Sequence, residues 1–362
     1  MTQQTDGALC EGGPKAPKLW GWHTWLSMII TVVILVVLAM MIDLREVWQH
    51  ITACNKLYVL LGGLAHYATY PVRGLRWRRC LFHLPLQAGR AKFGLLVFFY
   101  NFVDNVVPAK LGDVYGAHLA RINCGVRRSA ALGSMVFLRT VDAWIVLLLA
   151  AVSSWVLFAA KLPPSVMWAL LGGIALALVA TSILLTFFML KKRLPAWVPE
   201  RLQEMIHAFH TGMWPRTQEF VPIALLSVFI WTLEILWCYF IALAFGVELG
   251  FAQVIFLTMI PLLATAFPLT PSGVGVVDAT LFLCLNGLLG VAAPVAASLT
   301  VANRFIDHWL HIGLGMIVWA MRGVFGLNTW REVPLDSETP EDTQEKETTP
   351  EPLVCKEVVH GH

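Results

Sequence analysis

Two arginine–aspartate pairs interrupt long apolar runs of the sequence. Arg139 and Asp142 lie in one run, and Arg304 and Asp307 lie in another. Each pair has i, i+3 spacing, which places both side chains on one face of a helix, close enough for a mutual ion pair. A guanidinium oriented in this way can bind a phosphate through parallel N–H bonds. We predict that both arginines bind an anionic group; the alternative is that each pair only fastens its helix to a neighbouring one.

A Pro-x-x-x-Gly motif precedes each arginine. Its glycine lies 27 residues before the first arginine and 29 before the second, and both arginines begin the pattern R-x-x-D-x-W. The two motifs are Pro108–Gly112 and Pro271–Gly275. The matching order predicts an internal repeat, with units at about residues 92–160 and 250–321.

Both motifs predict a broken helix. A half-helix that begins after such a break points unpaired N–H groups and the positive end of its dipole inward, where an anion is favoured. A simple packing kink is the alternative. The candidate anion-binding residues around the breaks and the arginines are Asn105, Pro108, Lys110, Gly112, Asp113, Arg139, Asp142, Pro271, Gly273, Gly275, Asp278, Arg304 and Asp307.

The composition indicates that lipid surrounds the chain. Hydrophobic residues make up 57% of the 362 residues and charged residues only 14%, too few to cover a soluble protein of this length. The first apolar run, Leu19–Ile42, contains no acidic or basic residue and can cross about 30 Å of hydrocarbon. No cleavage motif follows it, so we expect an uncleaved anchor. The fold class is predicted to be an all-α integral membrane protein.

The apolar runs predict about six to eight transmembrane helices. Full spans are expected near residues 22–42, 55–73, 130–160, 166–190, 220–246 and 297–321. Two further regions, 92–120 and 250–290, are interrupted at the motifs. The second arm of the first region is too short and polar to cross, which predicts a re-entrant hairpin. The second region is either re-entrant or two full spans.

Basic residues gather on one side of this arrangement. They follow the second and fourth predicted spans and precede the third: Arg73, Arg76, Arg78, Arg79, Arg90, Lys92, Arg121, Arg127, Arg128 and Lys191–Arg193. The positive-inside rule then places both termini in the cytoplasm and the protein in the cell membrane. With this orientation the two units begin on opposite sides, as in an inverted-topology repeat. An amphipathic stretch, Trp197–Trp214, is predicted to lie along the inner interface.

The domain organisation follows from the change in composition. Residues 1–21 are predicted to be a cytoplasmic segment, 22–325 the transmembrane domain and 332–362 a disordered acidic cytoplasmic tail. Nine acidic residues and two lysines lie in the tail, so the rest of the chain carries a formal charge of +10, against +3 for the whole. A basic membrane domain suits anionic lipid head groups.

The remaining polar residues are weaker evidence of function. Glu234, in the fifth span, is a candidate for proton coupling, with a buried neutral acid as the alternative. The seven cysteines are dispersed, and Asp307-His308-x-x-His311 is better explained by imidazoles bonded to neighbouring helices than by a metal. No nucleophile, phosphate-loop or dinucleotide motif is present. We expect no catalytic residue, cofactor or metal, and no nucleic-acid partner.

At these motifs the sequence resembles the flippase-like family typified by the transmembrane region of lysylphosphatidylglycerol synthases, which includes the uncharacterised YbhN-like proteins. The matching segments are Leu75–Arg78, Asn105–Asp113, Arg139 with Asp142, Pro271–Asp278 and Arg304. The family commonly has glutamate where Asp113 and Asp278 stand. Full synthases add a soluble aminoacyltransferase domain, and since only a short tail follows residue 325 here, we expect that activity to be absent.

The resemblance implies a membrane lipid translocase for an anionic phospholipid or a polyprenyl-phosphate-linked envelope precursor. One alternative is a membrane-embedded head-group transferase with Asp113, Asp278 or Glu234 as the base. Another is a non-catalytic partner of envelope biosynthesis enzymes. A homo-oligomer is compatible with each of these functions.

Overall fold

A computed structural model describes residues 44–106, 112–159, 161–190, 199–264 and 275–327, and these ranges are helical and contain no strand. Several predictions fall outside the described residues. They are the segments 1–21 and 332–362, the first span at 22–42, the basic residues Lys191–Arg193, and Pro108, Lys110, Pro271 and Gly273.

The described helices follow one another along the chain with short connections. They are α1 (Leu44–Ala53), α2 (Lys56–Cys80), α3 (Arg90–Val106), α4 (Gly112–Cys124), α5 (Arg128–Phe158), α6 (Pro164–Leu190), α7 (Glu200–Met213), α8 (Phe220–Ala244), α9 (Phe251–Ala264), α10 (Val276–Leu283), α11 (Ala293–Arg304) and α12 (His311–Ala320). A 3₁₀ turn, Thr217–Glu219, precedes α8. Two π-helical segments, Cys284–Leu288 and Phe305–Leu310, follow α10 and join α11 to α12.

Three helical stretches of the described chain are long and apolar enough to cross a membrane. They are Arg128–Phe158, Pro164–Thr186 and Thr217–Ala244, and they correspond to the spans predicted at 130–160, 166–190 and 220–246. Large apolar side chains such as Trp155, Trp168 and Leu225 are exposed on their outer faces. Because every backbone group is bonded within each helix and the outer faces are apolar, these helices suit hydrocarbon.

The second span is longer than the sequence predicted. It was expected to end at residue 73 with a basic loop after it, but α2 continues to Cys80 and includes Pro71 in its interior. Arg73 and Arg76 therefore lie within the helix, and Arg76 is only 4% exposed. The prediction was wrong because hydropathy treats each arginine as exposed, whereas here α5 and α8 supply partners for both.

The two predicted helix breaks fall between described helices. The helix α3 ends at Val106 and α4 begins at Gly112, while α9 ends at Ala264 and α10 begins at Val276. Within each unit the two helices that flank the break pack against each other. The stretches between them, residues 107–111 and 265–274, lie outside the described chain.

Two glycines allow close contacts between neighbouring helices. A Cβ atom added to Gly74 of α2 would collide with the backbone of Gly94 in α3, and one added to Gly212 of α7 would collide with the carbonyl of Ala130 in α5. The first contact holds α3 against the arginine-bearing end of α2. The second holds the predicted amphipathic segment, which is helical as expected, against α5.

Buried side chains form two apolar clusters that α2 and α8 link. The first cluster contains large residues of α2, α3 and α4, including Trp77, Phe93, Leu96, Phe99 and Leu119. The second is formed mainly by α8 to α11, including Ile241, Phe256, Met259, Leu285 and Leu299. The contact between α2 and α8 is more extensive than that of any other described helix pair. It brings the polar residues of α2 between the two units.

Candidate functional site

A partly open cleft lies among α2, α3, α4 and α5. Its enclosed volume is about 30 Å³, and its mouth is open. Apolar and uncharged side chains surround three guanidinium groups and two carboxylates. The lining residues are Arg73, Arg76, Trp77, Val97, Tyr100, Asn101, Asp113, Met135, Leu138, Arg139 and Asp142. Three guanidinium groups against two carboxylates leave the lining with one excess positive charge, which favours an anionic ligand.

Arg76 and Asp142 form a bidentate ion pair at the base of this cleft. The Arg76 Nη1 and Nη2 atoms donate to Asp142 Oδ1 and Oδ2 over 2.6 and 2.7 Å, and Nη1 also donates to Ser227 Oγ over 2.9 Å. The indole of Trp231 donates to the same carboxylate over 3.2 Å. This buried pair joins α2, α5 and α8. The Arg139–Asp142 ion pair expected from the sequence is therefore wrong, because Asp142 pairs with Arg76 of α2.

Arg139 pairs instead with Asp113, at the start of α4. Its Nη2 atom donates to Asp113 Oδ1 over 3.0 Å, and the two side chains are 52% and 32% exposed. Among the described residues this is the one hydrogen bond of Arg139. A guanidinium has five N–H donors, so Arg139 retains donors that can reach a ligand in the cleft.

Arg73 connects the cleft to α8. Its Nη2 atom donates to Glu234 Oε1 over 2.6 Å, and its guanidinium lies 6.0 Å from the ring centroid of Trp231. Both partners of the ion pair are mostly buried. Glu234 is thus the counter-ion of a cleft arginine, a role that the sequence did not indicate.

The corresponding residues of the second unit are more enclosed. Arg304 Nε donates to Asp278 Oδ1 over 2.8 Å, and these side chains are 11% and 8% exposed. Arg304 Nη1 also lies 3.7 Å from Asp307 Oδ2, which is the i, i+3 contact predicted from the sequence. Arg304 and Asp278 do not line the described cleft.

Carboxylates of the protein occupy the helix starts after both breaks. The amide of Gly112 donates to Asp104 Oδ1 over 2.8 Å, and that of Gly275 donates to Asp278 Oδ2 over 2.9 Å. Gly275 has a positive φ of 85°, a conformation that favours glycine. The anion predicted at these two amides is therefore a side chain. Among the described residues, the arginines of the cleft keep donors for a ligand.

A buried histidine links the cleft to the second unit. His66 of α2 is 3.7 Å from Glu234 through Nδ1 and 3.7 Å from Asp307 through Nε2. Asn105, a predicted site residue, lies at the same junction, with its Nδ2 atom 3.5 Å from the carbonyl of Asp307. Sequence reasoning missed His66. The sequence feature that could have identified it is a polar residue in an apolar run, with Arg73 seven positions later on the same helix face.

The other histidines of this region bond to neighbouring helices. His311 Nε2 lies 3.2 Å from the carbonyl oxygen of Phe98, and its ring stacks on Tyr70 with centroids 5.0 Å apart. In the described part of the chain, no three His, Cys, Asp or Glu side chains converge as metal ligands do.

The helices and their buried ion pairs define an integral membrane protein with a polar site between its helices. The chain belongs to the family described as the lysylphosphatidylglycerol synthase transmembrane region, whose model matches residues 24–315. The resemblance found at the motifs is thereby confirmed.

The chain is similar to several archaeal proteins. A UPF0104 membrane protein of Methanocaldococcus jannaschii is 26% identical over 60% of this chain and 93% of its own length. A second, from Methanothermobacter thermautotrophicus, is 21% identical over 80% of this chain and 93% of its length. The glycosyltransferase AglD of Haloferax volcanii is 24% identical over 78% of this chain, which corresponds to 51% of that protein.

Proposed function

We propose that this protein translocates a lipid with a phosphate-containing head group, either an anionic phospholipid or a lipid-linked envelope precursor. The single observation that carries the proposal is Arg139, a guanidinium that faces a cleft between membrane helices with donors to spare. An arginine is costly in hydrocarbon, by at least about 2.5 kcal/mol even on lenient scales. A lipid phosphate that enters the cleft would offset that cost through charge-assisted hydrogen bonds.

Two arginines of the cleft have different roles, one structural and one in contact with the ligand. Arg76 gives three hydrogen bonds to Asp142 and Ser227, so it holds the helices together and adds positive potential. Arg139 has a single carboxylate partner and is the more exposed of the two. We assign head-group contact to Arg139 and supporting potential to Arg76, while the acyl chains stay in the bilayer.

Equal spacing of two ion pairs supports an inverted repeat. Asp113 and Arg139 are 26 residues apart in the chain, and so are Asp278 and Arg304. In each unit the aspartate lies near the start of the helix that follows the break, and the arginine lies on the next helix. We infer that both broken regions are re-entrant hairpins in a protein of six to eight spans.

The same proposal sets the orientation. Both termini lie in the cytoplasm and the protein lies in the cell membrane, because the basic residues Arg78, Arg79, Arg90 and Lys92 remain together near the end of α2 and the start of α3. The two units then enter the membrane from opposite sides, as alternating access requires.

A reconstituted assay tests the function. The full chain is placed in phosphatidylcholine vesicles with a trace of fluorescent phosphatidylglycerol or of labelled polyprenyl phosphate, and dithionite quenches the outer leaflet. Wild-type protein is expected to make the inner-leaflet label accessible. Arg139→Ala is expected to slow this by about tenfold or more, since one charge-assisted hydrogen bond is worth roughly 1.5–3 kcal/mol.

The matched control is Arg79→Ala. Arg79 forms a similar ion pair, 3.2 Å from Glu219, and does not line the cleft, so its removal is expected to leave translocation unchanged. Equal loss in both variants, or no movement of either probe by the wild-type protein, would contradict the proposal.

A second candidate function is a membrane-embedded head-group transferase. The observation that favours it is the relative named as a glycosyltransferase, although the match covers only half of that protein. The three candidate bases are each paired with an arginine, namely Asp113, Glu234 and Asp278. Mass spectra of lipid extracts discriminate the two functions, because a transferase changes the lipid species and a translocase changes only their leaflet.

A further inference from the structure

We propose that His66 is a proton relay between Asp307 and Glu234, and that the proton delivered to Glu234 releases Arg73 for the head group in the cleft. The proposal deepens the translocase function and rests on it for the role of Arg73. The transfer itself depends only on the three side chains and can be tested without any translocated lipid.

The position of His66 suits a relay. The residue is buried, and its two ring nitrogens face different carboxylates at equal distances of 3.7 Å. That separation is longer than a hydrogen bond, so a small rotation of the ring brings one nitrogen at a time within transfer distance. Glu234 is mostly buried, whereas the Asp307 side chain is 43% exposed. The relay therefore has one end open to the surroundings and one end inside the fold.

Other titratable or charged groups complete the environment of His66. On its own helix are Tyr67, Tyr70 and Arg73; α8 contributes Glu234; and the segment around α12 contributes Arg304, Asp307, His308 and His311. The Tyr70 hydroxyl is 3.5 Å from His66 Nε2, on the side of Asp307. The two carboxylates are the groups that face the ring nitrogens at salt-bridge distance.

The transfer conserves protons and charge. A protonated Asp307 gives its proton to Nε2 of neutral His66, which leaves an aspartate anion and an imidazolium. The imidazolium then gives its Nδ1 proton to Glu234 Oε2. The net result is an Asp307 anion, a neutral His66 in its other tautomer and a neutral Glu234. Arg304, 3.7 Å from Asp307, stabilises the new anion.

The consequence reaches the cleft through Arg73. This guanidinium is bonded to Glu234 Oε1 over 2.6 Å and also lines the cleft. A neutral Glu234 no longer balances its charge, so Arg73 is left as a cation next to Arg139. Protonation of Glu234 would thus increase the attraction of the cleft for a phosphate. Loss of the proton would restore the Arg73–Glu234 ion pair and release the phosphate.

Infrared difference spectroscopy tests the relay on the full chain in phosphatidylcholine nanodiscs. After a jump to lower pH, a carboxylic C=O band is expected that disappears in Glu234→Gln. In His66→Gln the band should appear about tenfold more slowly or worse, because a positioned acid–base group typically gives a factor of about a hundred or more. Asp307→Asn, a change at a partly exposed residue, should slow it as well and does not depend on replacing a buried side chain. Glu248→Gln, at an exposed residue outside both the relay and the cleft, should leave the rate unchanged.

The outcomes separate the relay from the translocase function. No Glu234 band in the wild-type protein, or unchanged rates in both His66→Gln and Asp307→Asn, would overturn the relay. If the band behaves as expected but labelled phosphatidylglycerol and polyprenyl phosphate do not move in vesicles, the proton site stands and the translocase function falls. If the lipids move at a rate that neither pH nor His66→Gln alters, the translocase stands without the relay.

Discussion

Arg139 lies 26 residues after Asp113 and donates a hydrogen bond to it across 3.0 Å. Arg304 repeats the relationship with Asp278, 26 residues earlier and 2.8 Å away. The first pair opens into the cleft and the second is almost enclosed. The same ion pair therefore occupies two environments in one molecule, so the two units are not equivalent in this state.

Removing the partner of Arg139 is expected to strengthen anion binding. In Asp113→Asn the guanidinium keeps its position and loses its counter-ion, so the affinity of the cleft for short-chain phosphatidylglycerol should rise by about tenfold. Thermophoresis of the detergent-solubilised protein measures it. Asp278→Asn makes the same change at the enclosed pair and should leave the affinity unaltered. Weaker binding in Asp113→Asn would show that the aspartate, not the arginine, receives the ligand.

The Arg76–Asp142 pair is expected to contribute strongly to stability. Arg76→Met leaves a buried carboxylate without its cation, which costs about 3–5 kcal/mol. Unfolding in mixed micelles with increasing dodecyl sulfate measures the change. Arg139→Met removes a more exposed pair, with side chains 52% and 32% exposed, and should cost less than about 1 kcal/mol. Adding Asp142→Leu to Arg76→Met should restore most of the loss, and no recovery would mean that the ion pair is not its cause.

The helix breaks and the Asp113, Arg139, Asp278 and Arg304 set could be found from the sequence, because proline and glycine interrupt apolar runs and an intramembrane charge is conspicuous. The residues that pair with these charges could not be found from the sequence. Spacing along one helix predicted Arg139 with Asp142, but a guanidinium reaches as easily to another helix, and Asp113 comes within reach only when α4 packs beside α5.

The end of α2 illustrates a second limit. Four arginines between residues 73 and 79 lower the hydropathy there, which predicted a loop. Whether such residues are solvated or paired depends on what lies opposite, and Glu234, Asp142 and Ser227 are supplied by helices far along the chain. His66 escaped notice for the same reason, because its carboxylate neighbours are 168 and 241 residues away in sequence.

Gly74 is expected to be intolerant of a side chain. Gly74→Ala places a methyl group against the backbone of Gly94, so α2 and α3 must separate, at a cost of about 1–3 kcal/mol. Gly63→Ala is the matched control, since it makes the same change on the same helix with nothing within 4 Å. Unfolding in dodecyl sulfate should therefore shift for Gly74→Ala alone. Equal shifts would mean that the change in helix propensity, and not the contact with Gly94, determines the change in stability.

Cysteine labelling is expected to fix the orientation. The exposed residue Glu248 follows α8 and the exposed residue Arg127 precedes α5. In intact cells a membrane-impermeant maleimide should label Glu248→Cys, and it should label Arg127→Cys only after permeabilisation. Cys10, Cys54 and Cys355 are replaced by serine beforehand. The reverse pattern would place the basic residues outside and contradict cytoplasmic termini.

Pro71 lies within α2 between His66 and Arg73. Because proline has no N–H, the carbonyl of Tyr67 lacks its helical donor, and an interior proline is where a helix bends most easily. The segment that carries His66 can therefore tilt against the segment that carries Arg73 without breaking another backbone hydrogen bond. A bend at Pro71 would change the angle between the segments that carry His66 and Arg73, rather than displace the whole helix.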